Sequence, residues 1–194
     1  MTNQTFYHFD RRNSITINSQ KIFRNDNNKP TRFYFALATD PKAKADFGNE
    51  LLSKVSDFPF DNNLSLDFLD KLIARFKENG NQIVQKVIFE LLFEETRRKT
   101  FGDLPSRMKS LFVVESMASL EYWKKSLPGE GMVYKLTPIE ITSKHEADSK
   151  WFESCSIDNI ETVKQYAENY WNGVKSTDPK IEYLITGKFN CEKL

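Results

Sequence analysis

The 194-residue chain is 39% hydrophobic and 28% charged and carries 16 Phe, 7 Tyr and 3 Trp, a composition that excludes a disordered polymer and predicts an aromatic-rich core built on strands as much as helices. Twenty-eight Lys and Arg against 27 Asp and Glu leave a formal charge of +1, which argues against a protein whose main work is to coat nucleic acid. The length fits one domain spanning residues 1–194, and the lack of a membrane-length apolar run or a signal-peptide pattern predicts a cytoplasmic protein that does not engage a membrane, with Cys155 and Cys191 as thiols.

Thr5–Asp10 (TFYHFD) reads as a first strand, followed by a polar stretch to Pro30 in which Asn25, Asp26, Asn27 and Asn28 are turn material. Phe33–Ala38 fits a strand or a helix, being too short for periodicity to decide. Ser65 can cap a helix whose Leu69, Leu72, Ile73 and Phe76 share one face, with Asn79-Gly80 as its stop. From Gln82 to about Arg98, the apolar pairs Ile83-Val84, Val87-Ile88 and Leu91-Leu92 recur four apart and predict a second helix with one buried stripe; Glu94 and Arg98 can pair on its opposite side.

Beyond Pro105 the pattern becomes strand, turn, helix. Ser110–Glu115 reads as a buried strand, Ser116 caps a helix through Trp123, and Pro128-Gly129 ends it. Met132–Ile141 follows as a strand in which Pro138 marks an edge or a bulge. Asp158 and Glu161 have capping-box spacing ahead of a helix carrying Ile160, Val163, Tyr166, Ala167, Tyr170 and Trp171, stopped at Gly173, and Ile181–Phe189 forms the last strand. Helices that cluster between strands without regular alternation predict an α+β fold with mixed sheets and helices packed around them.

Common catalytic spellings are missing: there is no GxGxxG, phosphate loop, paired CxxC, HExxH or GxSxG. His145, Glu146 and Asp148 are spaced as in a polar surface loop and do not call for a metal, and Cys155 has no evident orienting group that would make it a nucleophile with His145. His8 sits within an apolar strand, on the same face as Phe6, where a buried ring needs partners as a structural group or a ligand contact. Arg107, in a Pro-Ser-Arg turn ahead of a strand, is either a solvated loop arginine or a guanidinium placed to clamp a phosphate bidentately. Glu182 opens the last strand, a position where an exposed carboxylate is the plain expectation.

In chain order, Phe6-Tyr7-His8 on a first strand, Pro105-Ser106-Arg107 leading into Ser110-Leu111-Phe112-Val113-Val114, Ser116 with Ala118 and Trp123, and Glu182 on the last strand resemble the ADP-ribosyltransferase superfold. More closely, the chain resembles an uncharacterised bacterial and phage family of that type, and SLFVVESMASLEYW is its most family-like segment. The resemblance implies an enzyme that takes NAD as substrate, without a metal, cleaves the nicotinamide–ribose bond and transfers ADP-ribose to a protein or nucleic-acid acceptor. It implies a cofactor site with Tyr7 and His8 on the first strand, His8 on a ribose hydroxyl; Ser110, Phe112 and Tyr122 near nicotinamide; and Arg107 on the pyrophosphate. Glu182 would orient the nicotinamide ribose and stabilise its oxocarbenium-like transition state.

The chain departs from the pattern at Lys180, which stands where arginine- and nucleobase-modifying members carry a paired Glu or Gln. A related reading, removal of an RNA phosphate with NAD, would draw on Arg11, Arg12 and Arg24. The rival from another class is a noncatalytic interaction or immunity module, with Tyr166, Tyr170 and Trp171 as partner anchors, although their helical spacing fits core packing better.

Overall fold

A computed structural model describes residues 4–10, 20–23, 66–80, 82–127 and 129–194. The expectations at Ser65, Phe33–Ala38, Arg11, Arg12, Arg24 and Pro128 lie outside these residues. The described elements are β1 (Phe6–Asp10), β2 (Gln20–Phe23), α1 (Leu66–Asn79), α2 (Gln82–Thr100), β3 (Leu111–Val113), α3 (Met117–Ser126), β4 (Met132–Asp148), α4 (Lys150–Glu153), α5 (Ile160–Trp171) and β5 (Ile181–Lys193). They form an α+β structure, as expected, but in place of mixed sheets there is one five-stranded sheet in which every pairing among the described residues is antiparallel.

Apolar periodicity explains the helices. In α1, Leu69 and Leu72 are buried while Ile73 and Phe76 are partly so, and the chain leaves the helix through Gly80 at φ 61°. In α2 the burial extends beyond one stripe: Val84, Val87, Ile88, Phe89, Leu91, Leu92 and Phe93 are all buried, because α2 packs against both α1 and α5. Ser116 caps α3 by accepting the Ser119 N–H. At α5 the cap is Asn159, which accepts the Thr162 N–H, instead of Asp158 with Glu161; the Asp158 carboxylate instead accepts the Ser156 hydroxyl.

Two strands run longer than their sequence pattern suggests. β4 continues through Asp148, so His145, Glu146 and Asp148 belong to a strand and not to a loop, and β5 continues past Phe189 to Lys193. Each is the other's main partner, and ladder hydrogen bonds carry both through polar stretches that show no apolar alternation. β4 is central, between β1 and β5; Pro138 pairs with Phe189 immediately before a register shift, with a second shift between Ile141 and Ser143. Gly187 sits opposite this irregularity at φ 149°, where a Cβ would fall 2.1 Å from Glu140 O.

β5 divides two hydrophobic cores. Leu184 faces α1, α2 and α5, whereas Tyr183 and Ile185 face a second core with Phe6, Leu111, Val113, Tyr134 and Leu136. The second core draws on a closed circuit: β1 pairs with β4, β4 with β5, and β5 with β3, and the circuit is completed by the Tyr7–Val114 bridge, whose two N–H···O bonds measure 2.7 and 3.0 Å. Because side chains alternate along a strand, neighbouring residues of β5 report to different cores. Glu182 therefore shares the helix-facing side with Leu184.

Candidate functional site

A buried polar cluster among the described residues draws on four parts of the chain. Glu90 projects from the middle of α2, Arg107 from the segment before β3, Tyr170 from the last turn of α5, and Glu182 from the start of β5. Arg107 Nε and Nη2 donate to the two oxygens of Glu90 at 2.9 and 3.0 Å, a bidentate pair. Arg107 Nη1 donates to Glu182 Oε1 at 2.7 Å and to Tyr170 Oη at 2.6 Å, and the Tyr170 hydroxyl donates to the same Glu182 oxygen at 2.8 Å. The side chains of Arg107, Glu90 and Glu182 are only 6%, 6% and 8% exposed, respectively.

A second ion cluster places Arg107. One turn beyond Glu90, Glu94 accepts from Arg97 and from the Ser106 hydroxyl, and Arg97 Nη1 donates to the carbonyls of Gly102 and Leu104 at 3.0 and 2.9 Å. Those bonds tie the segment after α2 back onto the helix and return Arg107 to Glu90. The expected Glu94–Arg98 pair is present at 3.4 Å, but the Glu94 side chain is 2% exposed and so lies on a buried side of the helix. Aromatic rings wall the guanidinium: the centroids of Phe152, Tyr170, Phe112 and Phe93 lie 4.5, 4.8, 5.0 and 5.8 Å from its carbon.

Electrostatics fix the protonation of two members. Burial alone would lower the Arg107 guanidinium, but Glu90, Tyr170 and Glu182 outweigh it and hold the group charged well above the ordinary arginine range. Burial, reinforced by Glu182, raises the Tyr170 hydroxyl well above its ordinary range against the opposing effect of Arg107, so Tyr170 acts as a neutral donor. Both bonds to Glu182 fall on Oε1; Oε2 accepts no hydrogen bond among the described residues.

The sequence-predicted residues separate into groups. Arg107, Phe112 and Glu182 come together, with Arg107 turned inward onto carboxylates, neither solvated nor free to clamp a phosphate, and Glu182 buried where an exposed carboxylate was expected. Ser110 lies just before β3 with its hydroxyl buried and without a hydrogen-bond partner. Tyr7 is half-buried and bridges Val114, which the β3–β5 register carries to the row of Glu182. Tyr122, on α3, lies with its ring centroid 5.0 Å from the ammonium of Lys180, two residues from Glu182. His8 is on the other side of the sheet: it shares the face of Phe6, whose ring packs 6.0 Å from that of Tyr183, and its Nδ1 is 2.8 Å from Phe112 O.

Around the cluster, His145 stacks on Trp171 at 5.3 Å, and its Nε2 is 3.1 Å from Tyr170 O; burial, opposed by that bond, lowers its titration below the ordinary histidine range. Glu146 points the other way, to Lys175 and Tyr183, and Asp148 accepts the N–H groups of Lys150, Ser176 and Lys180. Each of the three therefore serves a different partner. Burial pushes the Cys155 thiol up to about 12, and its Sγ contacts Trp151 O at 3.3 Å, the environment of an inert thiol. Glu153, on α4, is also raised by burial and by Glu182, against the pull of Lys150.

Glu90 is the member that the sequence reading missed. Its signal was a lone acid within the run Val87-Ile88-Phe89-Glu90-Leu91-Leu92-Phe93, where a helix buried on several sides has no solvent face for it. A family model described as "Protein of unknown function (DUF2441)" matches residues 6–193. No curated protein matches the chain.

Proposed function

Since the chain belongs to the DUF2441 family, whose description assigns no activity, we propose a function from the site itself: an ADP-ribosyltransferase-like enzyme in which Glu182 promotes cleavage of the nicotinamide–ribose bond of NAD. The observation that carries this reading is a buried carboxylate held through one oxygen by Arg107 and Tyr170, whose other oxygen accepts no hydrogen bond among the described residues. Loss of nicotinamide develops positive charge on the ribose, and a fixed, partly desolvated carboxylate stabilises that charge without reorganising. Oε2 can also accept a ribose hydroxyl.

The roles of the other residues differ from those that the resemblance implies. Arg107 orients Glu182 and does not bind pyrophosphate, because its Nε, both Nη1 protons and one Nη2 proton are engaged within the protein. His8 faces away from Glu182, so contacts with NAD at this site fall to Tyr7, Ser110, Phe112 and Tyr122. The interaction-module reading loses its principal anchors, since Tyr170 and Trp171 are buried and the Trp171 indole donates to Phe93 O at 2.7 Å.

The test is nicotinamide release from NAD by the purified protein, with Glu182→Gln as control and mass spectrometry to find transferred ADP-ribose on protein or nucleic acid. Release that falls by about a hundredfold or more in the variant is the expected result, the usual consequence of losing one electrostatic stabiliser. Release unchanged by the substitution, or neither release nor NAD binding by the parent, overturns the reading.

A further inference from the structure

We propose that the segment joining α5 to β5, residues 172–180, is a strap latched by Asp148, and that its opening exposes Glu182; the inference rests on the reading of Glu182 given above for what enters the site, and not for the opening itself. In the closed form the Glu182 side chain is only 8% exposed, so a ligand of its carboxylate needs part of the chain to move. The strap adjoins the site at both ends. Tyr170 precedes it, Glu182 follows it, and the Tyr170 hydroxyl donates to Glu182 Oε1 at 2.8 Å.

Burial separates the strap from its surroundings. No residue from 172 to 180 is buried, whereas Tyr170, Trp171, Tyr183, Leu184 and Ile185 on either side are core residues. A segment without apolar burial opens more readily than the core that it joins. Its hold is polar: Asp148, fully buried at the end of β4, accepts the Ser176 N–H on Oδ2 at 2.7 Å and the N–H groups of Lys180 and Lys150 on Oδ1 at 2.8 and 3.0 Å. The Ser149 N–H donates to Lys180 O at 2.9 Å, so Lys180 is gripped through both backbone groups. Burial alone would raise the Asp148 carboxyl, but the amides of Ser176 and Lys180 outweigh it and hold the group below its ordinary range, which makes these bonds charge-assisted.

The other ties of the strap lie at the surface. The Trp151 indole donates to Val174 O at 2.8 Å, Lys175 pairs with Glu146 at 2.7 Å, and the Lys180 ammonium lies 5.0 Å from the Tyr122 ring centroid. An exposed ion pair contributes little. Gly173, at φ 69°, makes the turn by which the strap leaves α5, and Ile181, paired with Asp148, is the first rung of β5. Release of Asp148 therefore frees the chain from Gly173 to that rung, and fraying of the strand end reaches Glu182 next.

Asp148→Asn tests the latch, because an amide presents one accepting atom where the carboxylate presents two. It keeps its bond to Ser176, or those to Lys180 and Lys150, and turns an N–H against the other side. In hydrogen exchange the Ser176 and Lys180 amides should exchange at least about tenfold faster in the variant, the consequence of losing a hydrogen bond to a charged group, while those of Leu184 and Ile185 keep the rates of the parent. Site-resolved labelling with a water-soluble carbodiimide should modify Glu182 faster in the variant and Glu90, on α2, at the parent rate. Lys175→Met, which removes only the surface pair with Glu146, should match the parent in both measurements.

Parent-like exchange at Ser176 and Lys180, acceleration shared equally by Leu184 and Ile185, unchanged labelling of Glu182, or an equal effect of Lys175→Met overturns the proposal. If Asp148→Asn does not fold, the parent in low urea decides: Ser176 and Lys180 must exchange together through an opening that Leu184 and Ile185 do not share. Neither readout uses NAD, so a failed latch leaves the enzymatic reading standing, and absence of nicotinamide release leaves the latch standing.

Discussion

His8 and Glu182 occupy opposite faces of one sheet although β4 pairs with both of their strands. The ring of Phe6, on the face of His8, packs against Tyr183, and Tyr183 is the residue next to Glu182. Alternation along β5 then sends Glu182 into the helix-facing core and the His8 side of β1 into the core shared by the four circuit strands. His8→Leu is expected to destabilise the fold by about 1–3 kcal/mol through loss of a buried hydrogen bond, while nicotinamide release per folded molecule stays that of the parent. Urea melts and the release assay check this together; a fall in release comparable to that of Glu182→Gln would show that the ring reaches the ligand.

Arg107→Met removes the guanidinium between Glu90 and Glu182 and leaves two carboxylates buried without their cation. Breaking a buried pair by deleting one partner costs about 3–5 kcal/mol, so the urea midpoint should drop sharply. Adding Glu90→Leu to that variant removes one stranded charge and should recover part of the loss. A neutral effect of Arg107→Met would mean that the cluster contributes nothing to stability.

His145 makes stability depend on pH near neutrality. Burial holds its titration in the folded protein below the ordinary value, about 6.5 in an unfolded chain. Below that pH the unfolded chain binds the proton more readily than the native state, so the contribution is complete above about 6.5 and is lost as pH falls through the folded-state value. Denaturation midpoints should decline between about pH 7 and 5, and His145→Phe, which keeps a ring against Trp171, should flatten the decline. Glu153, whose titration is raised, contributes the opposite slope in both proteins and cancels from the comparison. Parallel curves would count against a buried neutral His145.

Gly187→Ala places a Cβ 2.1 Å from Glu140 O at a backbone angle of φ 149°. The obstacle is backbone at the irregular part of the β4–β5 ladder, so it cannot turn aside as a flexible side chain would. The variant should lose more than about 1 kcal/mol, as expected for a Gly whose conformation is incompatible with Ala. A thermal melt that matches the parent would show that the two strands can separate without cost.

Local chemistry was legible wherever one element contained its own reason. The apolar spacing of α1 and α5, the Ser116 cap, and the stops at Gly80 and Gly173 each depend on neighbours a few residues away, and the structure has them. The Asp158 cap failed because Asn159, one residue on, offers the same chemistry. The polar end of β4 was unreadable as a strand because its order comes from β5, some forty residues later, and not from alternation of its own residues.

By itself, the sequence determined the α+β class, most of the described helices, and the residue types of the candidate site, since Arg107, Phe112 and Glu182 stand out from their surroundings by charge or position. Only the tertiary structure decided what those residues face. A strand's alternation fixes that adjacent side chains diverge, but not which side is turned to which core. Arg107 meets Glu182 across 75 positions and Glu90 across 17, distances over which no local propensity acts. Packing of α2 and α5 against β5 brings the charges together, and burial turns them from surface groups into a site.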